Sequence, residues 1–462
     1  MSDLLDLDAL DLSKAIAARQ VSPVEVMRET LARIDAVNPA VNAIVSLRDR
    51  EALMGEARLA EAMPAGGWLH GIPVAVKDLV NVKGVRSTSG SPLLKDFIPT
   101  QDDGIVRAMR AAGAIVIGKT NVPAYGLGSH STNKIFGATR TPYGLERTAG
   151  GSSGGAGAAL AARMVAVADG SDMMGSLRNP AAWNNVYGFR PSVGLIAAEA
   201  GEGALQHRLS TLGPMARSVA DLEALLGTLS EGRYKPADLP RRTEPLRIAW
   251  LGDWGGAYAM EQGILEQSQQ ALAQMEALGW QIEAVPPPFS AEAIWESWTN
   301  LRSFAVAMNL GPHWRDEAER AQLNPQAQWE ISRGFELSVA QVEMAAEIRG
   351  QWLQAFRSLM TRFDAVVLPS TQVWPFPVDW AWPERIGARE MDSYHRWMEV
   401  VVPASLIGAP VLNLPAGFGD MGLPSGVQLI GDHGADARLL AMGRAYHEAR
   451  NWPRHRPPEL NA

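Results

Sequence analysis

Residues Ala149 to Pro180 read AGGSSGGAGAALAARMVAVADGSDMMGSLRNP, and the rest of the chain can be interpreted outward from this stretch. It opens with a glycine-rich loop that carries two hydroxyls, Ser152 and Ser153. Glycine lets a backbone pass close to a ligand. The segment Ala156 to Ala168 is almost entirely apolar, which predicts a buried helix running into a buried strand. A second loop of small and polar residues follows, with Ser171, Asp172 and Ser176. Two serine-bearing loops joined in this way can lie side by side, as in a catalytic site.

Composition narrows the class of protein. The 462 residues are 47% hydrophobic and 20% charged, which is typical of a soluble globular protein with a large core. The formal net charge of -8 and the lack of a basic run argue against a nucleic-acid partner. The chain has no cysteine, which excludes disulfides, thiolate metal ligands and a cysteine nucleophile.

The sequence also bears on location. Its acidic start, MSDLLDLD, does not resemble a secretory signal. The uncharged run Val400 to Gly419 is long enough to raise the question of a membrane span. It contains three prolines and several glycines, so we expect a buried, turn-rich core segment instead. We therefore predict a cytoplasmic protein with no membrane partner.

Helical and strand patterns alternate along the chain, which predicts an α/β fold. The expected helices begin at Ser22, where a capping box starts the first one, and then cover Asp103 to Ala112, about Ala220 to Leu229, about Gln262 to Leu278 and about Ala437 to Arg450. The expected strands are Gly71 to Asp78, Ala114 to Gly118, Met164 to Ala168, Arg247 to Leu251, Trp280 to Val285, Ala365 to Leu368 and Val427 to Ile430. We predict one domain over 1–462, with a core over 60–230 and a helical insertion or cap over 290–362.

Tryptophans are concentrated between residues 295 and 397. They are Trp295, Trp298, Trp314, Trp329, Trp352, Trp374, Trp380, Trp382 and Trp397. We expect most of them to pack in the core or the cap. The alternative is that two or more of them line an apolar or aromatic substrate pocket.

Lys77 is the most informative candidate base. A lysine at the end of a buried strand usually extends its amine to the surface. If Lys77 is buried instead, lost hydration lowers its pKa from about 10.4 toward neutrality and makes it a usable base for a serine nucleophile. The eight histidines are scattered without metal-ligand spacing, and we predict no metal. No nucleotide-binding motif follows a strand, so we predict no cofactor.

A second interpretation uses the sequence Gly150-Gly151-Ser152-Ser153-Gly154, which matches the nucleophile elbow of α/β-hydrolases. That elbow requires a strand immediately before the serine. We interpret the preceding residues, Thr141 to Thr148, as loop, which weakens this interpretation. A serine esterase using Ser152 or Ser153 with His395 or His433 stays open as an alternative.

Taken together, these motifs resemble the amidase signature hydrolases. The resemblance covers nearly the whole chain and rests on the capped first helix, Gly-Ile-Pro-Val-Ala-Val-Lys-Asp at 71–78, Gly118-Lys-Thr-Asn, the Gly-Gly-Ser-Ser-Gly-Gly loop and Pro-Ser-Gly-Val-Gln-Leu-Ile-Gly at 424–431. It implies a mixed, twisted central sheet covered on both faces by helices. It also implies a Ser-cisSer-Lys catalytic set in which Ser176 is the nucleophile, Ser152 the relay and Lys77 the base.

The resemblance implies further roles around these three residues. The oxyanion hole would be formed by the backbone N–H groups of Met173, Met174, Gly175 and Ser176. Supporting positions would be Gly151, Ser171, Asp172 and Arg178. Gly126 and Leu127 would bind the substrate on its acyl side. The chain departs from the family at Met173-Met174, where a threonine or isoleucine and a glycine are usual, and at Ser171, where threonine is usual. The two methionines would narrow the pocket.

The sequence thus predicts an amidase that converts a carboxamide to a carboxylate and an amine or ammonia through a serine acyl-enzyme. The expected partner is a small-molecule amide substrate, and a homodimer is compatible with the sequence. Besides the esterase, two alternatives stay open: an amidotransferase-like subunit of the same family, and a catalytically inactive binding protein on the same fold.

Overall fold

The computed structural model describes residues 3–197, 208–239 and 244–460. Its α-helices are α1 Ala9–Ala17, α2 Pro23–Val41, α3 Arg50–Ala62, α4 Gly104–Ala111, α5 Gly154–Ala161, α6 Asn179–Trp183, α7 Val219–Leu229, α8 Ile264–Ala277, α9 Ala291–Arg315, α10 Glu317–Arg320, α11 Pro325–Glu336, α12 Val339–Met360, α13 Val402–Leu406 and α14 Asp436–Ala449. Its strands are β1 Ile44–Val45, β2 Pro73–Lys77, β3 Ile115–Thr120, β4 Thr132–Asn133, β5 Gly137–Ala138, β6 Arg140–Thr141, β7 Gly144–Thr148, β8 Val167–Asp172, β9 Tyr187–Arg190, β10 Thr211–Ala216, β11 Arg247–Trp250, β12 Gln281–Ala284, β13 Ala365–Pro369, β14 Arg385–Ile386, β15 Arg389–Glu390, β16 Val411–Phe418 and β17 Pro424–Ile430.

A large mixed sheet forms the centre of the molecule. Within the described residues it has eight strands in the order β12-β11-β13-β17-β16-β9-β10-β8. The pairs β11–β12 and β11–β13 are parallel, and the pairs from β13 through β8 are antiparallel. A smaller sheet, β1-β3-β2, lies beside the edge strand β8. This arrangement matters for function because β2 ends at Lys77 and β8 carries Ser171 and Asp172.

Helices cover both faces of the large sheet, as predicted. Alternate residues of a strand point to opposite faces, and β13 shows the consequence. Ala365 and Val367 join a core cluster with α7, α8 and α14, whereas Val366 and Leu368 join a cluster with α9 and α12. The strand is buried along its whole length because each face has its own helical layer.

Most predicted elements are present, with shifted ends. The helix at Ser22 begins with the predicted capping box, in which Ser22 Oγ accepts from the Glu25 N–H at 3.1 Å. The strand predicted over Met164 to Ala168 instead covers Val167–Asp172, because a turn after α5 takes up the first residues. The run Val400 to Gly419 is core: it supplies α13 and the central strand β16.

The prediction that Thr141 to Thr148 is loop was wrong. These residues form most of the β6–β7 hairpin, which pairs Arg140 with Thr148. The pattern was missed because the hairpin is short and polar and stands apart from the large sheet. It leads into the glycine-rich loop from outside that sheet.

The segment predicted as an insertion or cap is helical: it contains α9 to α12. That this segment is an insertion within the domain, and that residues 60–230 form the core, stay predictions. Among the described residues, no helix is both long enough and apolar enough to cross a membrane.

The packing predicts a position-specific effect of alanine. At Gly188 in β9, an added Cβ would overlap the carbonyl oxygen of Leu177 and lie 2.9 Å from Ala181 Cβ. We expect Gly188→Ala to lower the free energy of unfolding, measured in urea, by at least about 1–3 kcal/mol.

Gly227 in α7 is the matched control, since an added Cβ would meet no atom within 4 Å there. Gly227→Ala should be neutral or stabilise the protein by up to about 1 kcal/mol, because alanine is the better helix former. Equal effects of the two substitutions would contradict the packing described for β9.

Candidate active site

Lys77 lies at the end of β2 with its side chain fully buried. Its Nζ is 2.8 Å from Ser152 Oγ, 2.8 Å from Ser153 Oγ and 2.9 Å from Ser171 Oγ. It also lies 3.3 Å from the Ser171 carbonyl oxygen. The amine therefore sits at the junction of the two serine-bearing loops, within reach of three hydroxyls.

The electrostatics of Lys77 follow from its burial. Loss of hydration lowers the pKa of Lys77 to about 7, while the carboxylates of Asp169 and Asp172 oppose that shift. Asp169 is buried on β8, and its Oδ1 accepts from the Lys77 backbone N–H at 3.0 Å. A second buried lysine, Lys119 on β3, has a pKa lowered by burial to about 8. With a pKa of about 7, about half of Lys77 is the free amine at neutral pH, and this form can accept a proton.

The glycine-rich loop presents Ser152 at the start of α5. The peptide bond between Gly151 and Ser152 is cis. The Gly151 N–H donates to Asn179 Oδ1 at 3.3 Å, which ties this loop to the start of α6. Ser152 and Ser176 both line one cavity of about 560 Å³. Among the described residues, no hydrogen bond joins the hydroxyls of Ser152 and Ser176.

Asp172 holds the second loop in place. Its carboxylate accepts two hydrogen bonds from Arg178, at 2.9 and 3.0 Å, and lies 3.2 Å from Arg190 Nη1. Burial alone would raise the pKa of Asp172, but the two guanidinium groups outweigh it and hold that pKa well below its usual range. The carboxylate is therefore permanently charged, and the loop wraps around it.

The same carboxylate decides which loop amides are free. The Gly175 N–H donates to Asp172 Oδ1 at 2.9 Å, so it already has an acceptor in this conformation, and the oxyanion role expected for Gly175 stays a prediction. The N–H groups of Met173, Met174 and Ser176 have no acceptor among the described residues. Gly175 has a φ of +80°, whereas neither methionine has a positive φ. Side chains at 173 and 174 are therefore compatible with this loop conformation.

The cavity wall combines apolar side chains with polar and charged ones. Gly126 and Leu127 line it near Ser152, and Met173 and Met174 line it beside Ser176. Helix α9 supplies a further wall with Arg302, Ala305, Val306, Asn309 and Leu310. No tryptophan of the described residues lines the cavity. Trp298 stands behind the wall, where its indole N–H donates to Met174 Sδ at 3.3 Å.

The histidines considered for an esterase are engaged elsewhere. His395 Nδ1 contacts Ser393 Oγ at 2.9 Å, and His433 Nε2 contacts the Val193 carbonyl at 3.1 Å. In the described parts of the chain, neither hydrogen-bonds to Ser152 or Ser153. Within residues 3–197, 208–239 and 244–460, no group of three or more His, Asp or Glu side chains is arranged to hold a metal ion.

Sequence reasoning missed several residues that shape this site. Ser153 appeared as an alternative nucleophile, yet it contacts Lys77. Asp169, Lys119, Arg190 and Arg302 had no assigned place. Charged residues inside otherwise apolar strand patterns, as at Asp169 and Lys119, were the available signal, because such charges are buried only where they have partners. Nothing local in the sequence marks Arg190 or Arg302.

The ion pairs around Asp172 predict a large stability effect. Asp172→Asn removes the negative charge that two buried guanidinium groups share. We expect it to lower the free energy of unfolding in urea by about 3–5 kcal/mol, as for other broken buried pairs.

Glu283 is the matched control because it also bridges two arginines, Arg247 at 3.0 Å and Arg362 at 2.8 Å, but in solvent. Glu283→Gln should cost about 0–1 kcal/mol. Similar losses for the two variants would show that Asp172 is not the anchor of its loop.

The chain is similar to known proteins along most of its length. The sequence model of the amidase family, described as "Amidase", matches residues 25–440. An acylamidase of Rhodococcus erythropolis is 30% identical over an alignment covering 98% of this chain and 97% of that protein. A glutamyl-tRNA(Gln) amidotransferase subunit of Thermus thermophilus is 34% identical, with 96% of this chain and 97% of that protein covered.

The fold has close counterparts among solved structures. The structure of a bacterial aryl acylamidase of the amidase signature family superposes with a TM-score of 0.90 and 26% identity, covering 100% of both chains. A match of the family model over most of the chain, together with relatives aligned end to end, establishes the relationship. This chain belongs to the amidase signature family of hydrolases.

Proposed function

We propose that the chain is an amidase that hydrolyses a small or medium carboxamide through an acyl-enzyme on Ser176. The observation that carries the proposal is the Lys77 amine, buried and 2.8 Å from Ser152 Oγ, next to a cavity that Ser176 also lines. A serine hydrolase without a suitable histidine needs another base, and an uncharged lysine amine can serve.

The proposed proton path runs through both serines. Neutral Lys77 takes a proton from Ser152, Ser152 takes one from Ser176, and the Ser176 oxygen attacks the amide carbonyl. The path then runs in reverse to protonate the leaving nitrogen, and water releases the acid. The hydroxyls of Ser152 and Ser176 must come within hydrogen-bond distance when substrate binds. Catalytic hydrogen bonds are often long in unliganded enzymes and tighten in the complex.

The charge that develops on the carbonyl oxygen needs donors. We assign this role to the N–H groups of Met173, Met174 and Ser176; a donor of this kind is typically worth about 10²–10³ in rate. The proposed supporting roles fit the contacts: Ser171 and Ser153 orient Lys77, Gly151 places Ser152, and Arg178 with Asp172 fixes the loop. Gly126 and Leu127 would contact the acyl side of the substrate.

Substrate preference is argued from the cavity wall. Most of its non-glycine residues are apolar, which favours amides with alkyl or aryl groups. The acylamidase and aryl acylamidase relatives support the same class. Glutamine hydrolysis is the second candidate, because glutamyl-tRNA(Gln) amidotransferase subunits are similar over nearly the whole chain. Measuring kcat/KM for alkyl, aryl and cyclic amides and for glutamine separates the two candidates, because each predicts a preference for its own substrate class.

A fluorophosphonate label tests the nucleophile. Trypsin cleaves after Arg147, Arg163 and Arg178, so Ser152 and Ser153 fall in one peptide and Ser171 and Ser176 in the next. We expect the adduct on Ser176, with fragmentation separating it from Ser171. An adduct on Ser152 or Ser153 would favour the esterase, and no adduct would favour an inactive binding protein.

Lys77→Met tests the base in the same assay. It keeps a side chain of similar length but removes the amine, so labelling should slow by about 10²–10⁴, the usual effect of losing a general base. Lys95→Met is the control, since Lys95 is exposed, and it should label at the normal rate. Near-normal labelling of a folded Lys77→Met variant would contradict the proton path.

A further inference from the structure

Arg302 is a buried cation in the wall of the cavity, which the charged residues Asp103 and Arg208 also line. It lies on the face of α9 that also carries Ala305, Val306, Asn309 and Leu310. The residue is 4% exposed. Its Nη1 contacts Met173 Sδ at 3.4 Å, so the guanidinium adjoins the loop that carries Ser176.

The charge of Arg302 is balanced by the carboxylate of Glu330. Arg302 Nε donates to Glu330 Oε1 at 2.6 Å, and Ser303 Oγ donates to Glu330 Oε2 at 2.6 Å. Burial opposes both charges, but the pair outweighs it: the pKa of Arg302 is raised and that of Glu330 is lowered. The cavity therefore faces an ion pair with no net charge.

The guanidinium keeps unused donors. It has five N–H groups. Nη2 also contacts the Tyr394 hydroxyl at 2.8 Å, so each terminal nitrogen has one partner among the described residues. One of those partners is a thioether, which is a weak acceptor. A second N–H on each terminal nitrogen is left without an acceptor from the described chain.

We propose that Arg302 is a second binding point for the substrate, donating to a neutral carbonyl oxygen remote from the amide that is cleaved. This rests on the proposed amidase function and narrows it to amides that carry a second carbonyl, such as diamides and keto amides. A buried donor without an acceptor is costly, so a ligand oxygen that supplies one gains affinity over a methylene at the same place.

A carboxylate is the less suitable ligand. Glu330 already neutralises Arg302 and would repel a second anion placed against the same guanidinium. Removing that anion from water would add a further cost. The subsite therefore distinguishes a neutral acceptor from an acid of the same shape.

A substrate series tests this directly. Octanamide is compared with its 4-, 5-, 6- and 7-oxo derivatives by kcat/KM in the wild type, and by Kd in Ser176→Ala using calorimetry. We expect at least one oxo position to be preferred over octanamide by about tenfold, the effect of one hydrogen bond to a charged group. In Arg302→Met the ratio should fall to about one. Because each ratio is taken within one variant, a general loss of activity does not affect it.

Two further variants complete the test. Arg333→Met is the matched control, because Arg333 packs in the same helical cap without lining the cavity, and it should keep the preference. Glu330→Gln leaves Arg302 unbalanced, so the monoamide of octanedioic acid should gain about tenfold relative to octanamide. If Arg302→Met does not fold, this gain alone decides.

The proposal is overturned if no oxo position exceeds a twofold preference, if the preference survives in Arg302→Met, or if Glu330→Gln gives no gain for the acid. If no amide is hydrolysed but the Kd ratios are as expected, the proposed amidase function is wrong and the Arg302 subsite is supported. If octanamide is hydrolysed but no oxo derivative is preferred, the amidase function is supported and the subsite is wrong.

Discussion

The burial of one amine is the constraint on which this site depends. A lysine ammonium in water is stabilised by hydration, and the fold removes that hydration from Lys77 completely. Three serine hydroxyls and the carboxylates of Asp169 and Asp172 surround it in compensation. The result is a pKa of about 7. A much higher pKa would keep the amine charged at neutral pH, and a much lower one would make it too weak a base. The edge strands β2 and β8 create this environment where the two sheets meet.

A second constraint acts on the loop beside the amine. One buried carboxylate, Asp172, takes hydrogen bonds from the Gly175 and Leu177 N–H groups and from Arg178, and it also forms an ion pair with Arg190 at 3.2 Å. The loop shape is thus set by charge and by backbone geometry rather than by the side chains at 173 and 174. Those two positions are free to carry methionines, whose sulfur atoms contact Trp298 and Arg302 of α9.

The sequence predicted the fold class and the segments that meet at the site, because glycine-rich loops, caps and apolar strands are local signals. It did not predict the middle of the large sheet: β9 and β10 went unrecognised, and β16 was expected only as turn-rich core, since proline and glycine interrupt these strands. It also missed Asp169, which lies 92 residues from Lys77 along the chain and meets it only in the folded protein. Arg302 and Glu330 pair across two helices, a contact that no local pattern encodes.

The central claim is that burial lowers the pKa of Lys77 to about 7, so that about half of the amine is uncharged at pH 7, and direct titration of the side chain tests it. In protein labelled with ¹³C-lysine, the Lys77 Cε resonance, identified by its absence in Lys77→Met, should shift with a midpoint near pH 7. Above that midpoint the amine is free to accept a proton. A midpoint near 10.4, the value of an ordinary exposed lysine, would mean that Lys77 stays protonated at neutral pH and would contradict the account.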